Sequence, residues 1–409
     1  MWQAPAVTIT VRRDLALLLG GAGVSTIGSS LSMLAVMVHL KPFGAGWIAA
    51  AMAAELVPIV LLSPLAGRLV DRVPNRALLL GSLMLQAVGL LLGGLVGLRP
   101  GLEGLLLVGL ALVGTGAAVT SPTVAALIPR VTGEDRATAA YGWYSSITSA
   151  GFLLGFALSG VLVELTSVGT ALLLDAASFV VMAAAVLALR TERIPEAHAE
   201  GAEPSLWLGF ARIRQDALLL VSVVGLALAV LAIVIVNVAE VFFVLDDIGA
   251  GPAAYGLITA LWPAAGILGG WWAGRLVGER YLFRAIAAST VVMGVALAMS
   301  GAVVSLVAVG LGWLLGGAAG AVQRVAINSL IRARTDDAER GRVFAAAGAV
   351  FQAGNLVGLA VGAGVVALIG ARQSLLLSGA LTALVGLVMW LVGRSLVTPD
   401  RAEVASSLR

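Results

Sequence analysis

The chain contains no cysteine, one lysine and two histidines among 409 residues. The absence of cysteine excludes disulfides, thiolate metal sites and cysteine nucleophiles. His39 and His198 are too few for a histidine-based metal site. Charge is scarce: Asp, Glu, Lys and Arg make up 11%, against roughly 25% in soluble domains. No P-loop is present, so ATP is not the energy source, and no cofactor is called for. No nucleophile–base constellation is visible either, which argues against an enzyme. A cleavable signal peptide is not expected, because the first apolar segment is too long and follows Arg12 and Arg13. The net charge of +3 does not point to nucleic acid. It arises from arginines at the ends of apolar segments. The near-exclusive use of arginine over lysine fits GC-rich codon bias; Lys41 is the one exception.

What the chain has in quantity is apolar length: 60% of its residues are hydrophobic. A helix needs about 20 mostly apolar residues to cross a ~30 Å hydrocarbon core. Twelve such spans are read at 14–39, 45–69, 77–98, 102–129, 138–164, 169–190, 217–245, 252–277, 281–300, 303–332, 341–368 and 373–393. The ninth and tenth are separated only by Ser300, Gly301 and Ser305. Basic residues fall almost entirely in alternate gaps, with Lys41, Arg99 and Arg372 on the opposite side and Arg324 inside a span. The positive-inside rule then places both termini in the cytoplasm and makes the number of spans even. The chain reads as an all-α multi-pass membrane protein.

The longest gap, 191–216, separates the sixth and seventh spans. Its first part is a polar stretch ending at Pro204. Leu206, Trp207, Phe210 and Ile213 then recur at helical spacing beside Arg212 and Arg214, which predicts a short amphipathic helix at the cytoplasmic interface. The domain reading is 1–190, a linker at 191–216, and 217–409. The two sides repeat. Ala66-Gly67-Arg68-Leu69-Val70 recurs as Ala273-Gly274-Arg275-Leu276-Val277. Ala150–Ala157 matches Ala353–Ala360 at a separation of 203, and Leu172-Leu173-Leu174-Asp175 matches Leu375-Leu376-Leu377-Ser378 at the same separation. Six spans per copy preserve orientation, so the repeat is parallel. Transporters built this way commonly bind substrate near the midplane, between repeats.

Two motifs carry a family resemblance. Gly67-Arg68-Leu69-Val70-Asp71-Arg72-Val73-Pro74-Asn75-Arg76 lies between the second and third spans. It resembles the signature loop of the major facilitator superfamily, G-x-L-x-D-R-x-G-R-R. Gly67, Leu69, Asp71, Arg72 and Arg76 match; Pro74 and Asn75 depart. In the fifth span, Gly142, Gly151, Gly155 and Gly160 match the antiporter motif of the same superfamily, G-x8-G-x3-G-P-x2-G-G, with Phe156 in place of proline and Ser159 in place of glycine. Small residues at such spacing also permit ordinary close packing of helices in lipid. Together with Leu174–Phe179, these features resemble a bacterial drug-exporter branch that includes macrolide and siderophore exporters. The resemblance implies two six-helix bundles around a cavity. It also implies a cytoplasmic latch at Asp71, near the start of the eleventh span, and residence as a monomer in the bacterial cytoplasmic membrane. One departure stands out: related exporters often carry Gly-Asp in the first span, where this chain has Gly28-Ser29.

Charges inside the membrane are the remaining signal. Glu55 lies about ten residues into the second span, or ~15 Å at 1.5 Å per residue. A charged acid there costs on the order of 2.5–3.5 kcal/mol unless paired, protonated or hydrated. That suits a proton-coupling carboxyl, and it equally suits a protonated acid bonded to a neighbouring helix. Glu240, near the outer end of the seventh span, and Asp175, in the sixth, are fallback candidates. Glu240 is read first as a rim residue and Asp175 as structural. Gln86, Tyr144, Trp262, Arg324, Gln352 and Asn355 are candidates to line a cavity. The expected function is proton-coupled export of a small amphipathic compound. The alternatives are a carrier of lysophospholipids or metabolites, or a membrane sensor that moves nothing.

Overall fold

The computed structural model describes residues 5–97, 99–191 and 206–396. The polar stretch 192–205 lies outside them, as do Arg193, His198, Arg401 and Arg409. Among the described residues there are thirteen α-helices: α1 Pro5–Leu40, α2 Ala45–Arg72, α3 Asn75–Leu92, α4 Glu103–Thr132, α5 Glu134–Leu165, α6 Val168–Ala188, α7 Leu206–Gln215, α8 Ala217–Phe242, α9 Pro252–Ala273, α10 Glu279–Ala302, α11 Leu306–Arg334, α12 Asp337–Ile369 and α13 Ala371–Gly393. All but α7 belong to twelve segments long and apolar enough to cross a membrane. The ten-residue α7 sits where the amphipathic repeat predicted it.

The helices are apolar on both sides. Leu79, Leu83 and Leu127 are fully buried, whereas Leu61, Leu268 and Leu368 are largely exposed. An outer face of that kind is stable against lipid and not against water. Helix ends follow local chemistry. Ser167, Asp216 and Ser305 cap α6, α8 and α11 by accepting backbone N–H groups, which satisfies donors the helix itself leaves orphaned. Ser305 thereby fixes the break between the ninth and tenth spans. Gly44 and Gly249, at equivalent turns of the two repeats, both have positive φ, 93° and 73°, a region open to glycine without steric strain.

By internal contacts the chain divides into two compact units, Met1–Gly201 with Gly251–Ala260, and Ala202–Ala250 with Leu261–Arg409. Each repeats the other's packing. In the first, a Cβ built on Gly151 would lie 3.1 Å from the Gly23 carbonyl oxygen, and one on Gly155 would lie 2.6 Å from that of Ile27. In the second, Gly354 sits 2.7 Å from the Ala227 oxygen and Gly358 2.6 Å from the Leu231 oxygen by the same measure. Small residues thus bring α5 onto α1 and α12 onto α8 backbone to backbone. A second repeated device joins the third and fourth helices of each unit. Gln86 of α3 donates to Thr120 of α4 at 3.0 Å, and Gln323 of α11 donates to Thr290 of α10 at 2.7 Å. The amide and the hydroxyl have exchanged helices between the copies. Duplication followed by divergence explains a bond kept while its two ends are swapped.

Candidate functional site

Glu55 lies in the middle of α2, where α2 and α4 touch along their backbones. Gly114 of α4 is packed on the Glu55 carbonyl, and any Cβ there would collide with it. Three residues on, Pro58 lies inside the helix. Proline has no N–H, so the Ala54 carbonyl loses its helical donor one residue before the acid. The Glu55 side chain is half-buried, and no residue among those described hydrogen-bonds its carboxyl.

Asp175 of α6 is 1% exposed and faces α1. Ser32 donates to one of its oxygens at 2.5 Å and Ser178 to the other at 3.1 Å. Gly28 makes room for the arrangement: a Cβ there would run into Ser178 Oγ and Asp175 Oδ1. Asp175 thus sits in a hydroxyl-lined contact between α6 and α1. Glu240, half-buried on α8, belongs to the other unit.

The cavity candidates divide. Gln86 is buried and spends its amide on Ser82 and Thr120 within the α3–α4 packing. Tyr144 is half-buried on α5. In the second unit, Trp262 meets Trp313 edge-on at 6.0 Å; its ring fills the space left by Gly316, and Gly317 packs on its backbone. Asn355 donates to Gln352 at 3.4 Å, one turn apart on α12, and both are half-buried. Arg324 is exposed and has no ion-pair partner among the described residues; Asn328, one turn on, is exposed beside it. Among the described residues no three His, Cys, Asp or Glu gather as a metal site.

The signature loop closes α2 and opens α3. Gly67, Asp71 and Arg72 occupy the last turns of α2. A Cβ on Gly67 would meet nothing within 4 Å. Arg76 is engaged inside its own unit, donating to the Leu189 carbonyl at the end of α6 at 2.5 Å. Of the antiporter-motif glycines, Gly151 and Gly155 pack on α1, and Gly160 packs on the Pro252 backbone. Gly142 faces open space.

One cluster escaped the sequence reading. Asp216, at the start of α8, caps that helix and accepts from Arg334 at 2.6 Å. Arg334 also bonds Glu279 at 2.5 Å, and Arg212 of α7 reaches Glu339 at 3.5 Å. The network ties α7, α8, α10, α11 and α12 together at one end of the second unit. Its one legible signal is an aspartate immediately before an apolar run; its partners lie far away in sequence.

Three comparisons bear on this geometry. The sequence profile of the Major Facilitator Superfamily matches residues 14–313 and 223–407. Multidrug resistance protein 1 of Bacillus subtilis (strain 168) is 31% identical over 177 residues, and the match spans 43% of either chain. The backbone superimposes on a crystal structure of the nucleoside transporter NupG with a TM-score of 0.74 at 13% identity, covering 92% of this chain and 98% of that one. A bacterial homologue of the iron transporter ferroportin, in its inward-facing state, gives 0.72 at 17% identity, covering 95% and 98%. A POT family transporter in complex with 5-aminolevulinic acid gives 0.74 at 13% identity, covering 94% and 97%.

Proposed function

Because the chain belongs to the Major Facilitator Superfamily and is a multi-pass membrane transporter rather than an enzyme, we propose that it exports small amphipathic compounds in exchange for protons. The observation that carries the reading is Glu55, a half-buried carboxyl near the middle of a spanning helix with no hydrogen-bond partner among the described residues. Keeping an ionisable group at that depth costs on the order of 2.5–3.5 kcal/mol. An ionisable residue at that depth is by default a candidate for binding what crosses the membrane. The partial match to a protein named for multidrug resistance supports export of drug-like compounds. The sequence carries no phosphate-binding loop, which argues against ATP as the energy source.

In this reading the protein resides in the bacterial cytoplasmic membrane with both termini inside, and works as a monomer by alternating access. Glu55 binds a proton from outside and gives it up to the cytoplasm. Arg324, Asn328, Gln352, Asn355 and Trp262 contribute a polar and aromatic surface for substrate. Asp71 and Arg72 act as a conformational latch rather than as substrate ligands. Asp71→Asn keeps the shape and removes the charge. It is expected to slow transport while leaving expression and substrate binding intact, and to shift the resting population toward the inward-open state. Distances between spin labels on the cytoplasmic face check this; unchanged distance distributions in the variant count against the latch.

The function itself is tested with cells or everted vesicles loaded with a panel of fluorescent amphipathic compounds, ethidium among them. Export that collapses when an uncoupler removes the proton gradient supports the proposal. Export unaffected by the uncoupler, or binding of the panel with no flux, contradicts it.

A further inference from the structure

Arginine is frequent in the second unit, and nearly all of it sits near helix ends. Arg324 is the exception. It lies inside α11, ten residues before that helix ends at Arg334, or ~15 Å at 1.5 Å per residue. Helical side chains lean toward the helix N-terminus. For Arg324 that is away from the nearer end, so snorkelling to water is disfavoured. Other arginines of this unit are neutralised: Arg334 holds Asp216 and Glu279, and Arg212 holds Glu339. Arg324 makes no hydrogen bond or ion pair among the described residues.

Its direction is set by the helix. Val307, Leu311 and Leu315 form the exposed apolar stripe of α11, one turn apart. Arg324 comes nine residues after Leu315, about two and a half turns at ~3.6 residues per turn, and leaves the helix on the opposite side. Protein rather than lipid borders that side. The Trp262 ring of α9 lies over Gly316, and its edge is 3.6 Å from where a Cβ on Gly320 would stand. Gly316, Gly320, Arg324 and Asn328 follow one another at intervals of four, which makes one ridge. An aromatic ring, a cation and an amide thus stand in order along it. Arg324 and Asn328 are nonetheless exposed. A guanidinium turned away from lipid and still exposed lines an opening.

The acids of this unit are placed elsewhere. Asp216, Glu279 and Glu339 are engaged as above. Glu240 lies at the other end of α8 from Asp216, and Asp336 stands past the end of α11. A cation at membrane depth without a counterion is costly unless a ligand supplies one. Guanidinium takes a carboxylate or phosphate through two parallel N–H donors, and an amide one turn away can donate a third. We infer that Arg324 and Asn328 bind the anionic head of the transported compound and that Trp262 holds its apolar part: the substrate is an amphipathic acid carrying a carboxylate or phosphate. The inference rests on the transport surface proposed above and narrows its occupant to anionic compounds. Because a guanidinium stays charged at every working pH, Arg324 selects by charge and carries no proton.

The test uses two probes that differ only in charge, dansylaminoundecanoate and its methyl ester. Each is titrated by dansyl fluorescence into the purified full-length protein in lipid nanodiscs, with empty nanodiscs correcting for partition into lipid. Wild type is expected to bind the acid more tightly than the ester by roughly tenfold or more, the worth of one hydrogen bond to a charged group. In R324Q the two affinities should converge through weaker binding of the acid. R324K keeps the charge but loses the fork, and should show a reduced preference. Thermal unfolding identifies a variant that fails to fold; should R324Q do so, R324K decides, and an undiminished preference there overturns the inference. Displacement of the acid probe by lysophosphatidate or by decanoate supports it, and the better competitor tells a lipid from a free acid. Equal affinities for acid and ester in wild type, no binding of either, a preference that survives R324Q, or decylamine competing as well as decanoate each overturn it. Proton-coupled export seen beside any of these leaves the proposed function standing. Charge-selective binding that depends on Arg324, with no proton movement, removes the proton coupling and keeps this site.

Discussion

Replacing Glu55 with glutamine is expected to abolish accumulation of substrate against a gradient. The amide keeps the volume and can still hydrogen-bond, but cannot release a proton. The α2–α4 contact at Gly114 involves the Glu55 backbone, so the substitution leaves the packing intact. Downhill movement and substrate exchange should survive, because the remainder of the transport surface is untouched. For each coupled proton removed, the attainable concentration ratio falls about tenfold per unit of pH gradient, since one pH unit is worth roughly 1.4 kcal/mol. Counterflow and uphill uptake assays on the same proteoliposomes separate the two behaviours. Loss of both would mark Glu55 as a folding or binding residue; retention of both would move the search to Glu240.

Gly155→Val should be a strongly damaging change to the fold. A Cβ at Gly155 would stand 2.5 Å from the Ser30 Cβ and 2.6 Å from the Ile27 oxygen. Backbone cannot rotate away as a flexible side chain can, so α5 would have to part from α1. Overpacking of this kind typically costs about 1–3 kcal/mol, and a backbone obstruction belongs at the upper end. Gly358→Val should behave alike in the second unit, because Gly358 makes the same approach to Leu231. Gly142→Ala, with no neighbour within 4 Å, should be neutral in stability and transport. Thermal unfolding followed by size-exclusion fluorescence ranks the three. A stable Gly155→Val paired with an inactive Gly142→Ala would mean the motif acts through something other than close packing.

The spans were legible because hydrocarbon thickness imposes a length that apolar runs display openly. The pause at Ser300–Ser305 was enough to divide α10 from α11, since Ser305 supplies a cap. The eighth span was read to 277, but α9 ends at Ala273. There Gly274 interrupts the helix, and Arg275 folds back over Trp271 with its guanidinium 3.6 Å from the ring centroid. Apolarity continues through Leu276 and Val277, so hydropathy alone overshoots. The first helix begins at Pro5 rather than near 14, because Arg12, Arg13 and Asp14 interrupt the apolar run without interrupting the helix.

Site residues were harder to read, because their meaning depends on partners from other helices. Glu55 stood out by depth alone. Gln86 suggested a cavity wall by its type, yet its amide is consumed by Thr120. Asp175 was read as structural on a peripheral helix; that Ser32 of α1 donates to it shows only once α6 is packed on α1. The repeat itself could be read: Asp175 against Ser378 at matched positions is a divergence in chemistry where the flanking leucines stayed the same.

The central claim is that substrate leaves in exchange for protons carried by Glu55. Substrate-induced proton movement, read by a pH-sensitive dye in sealed proteoliposomes holding wild type or Glu55→Gln, tests it most directly. The account predicts that adding an exported compound drives protons across the wild-type membrane in the opposite direction, and that the Glu55→Gln vesicles stay silent. Equal proton movement in both, or substrate flux in wild type with no proton movement at all, would contradict it.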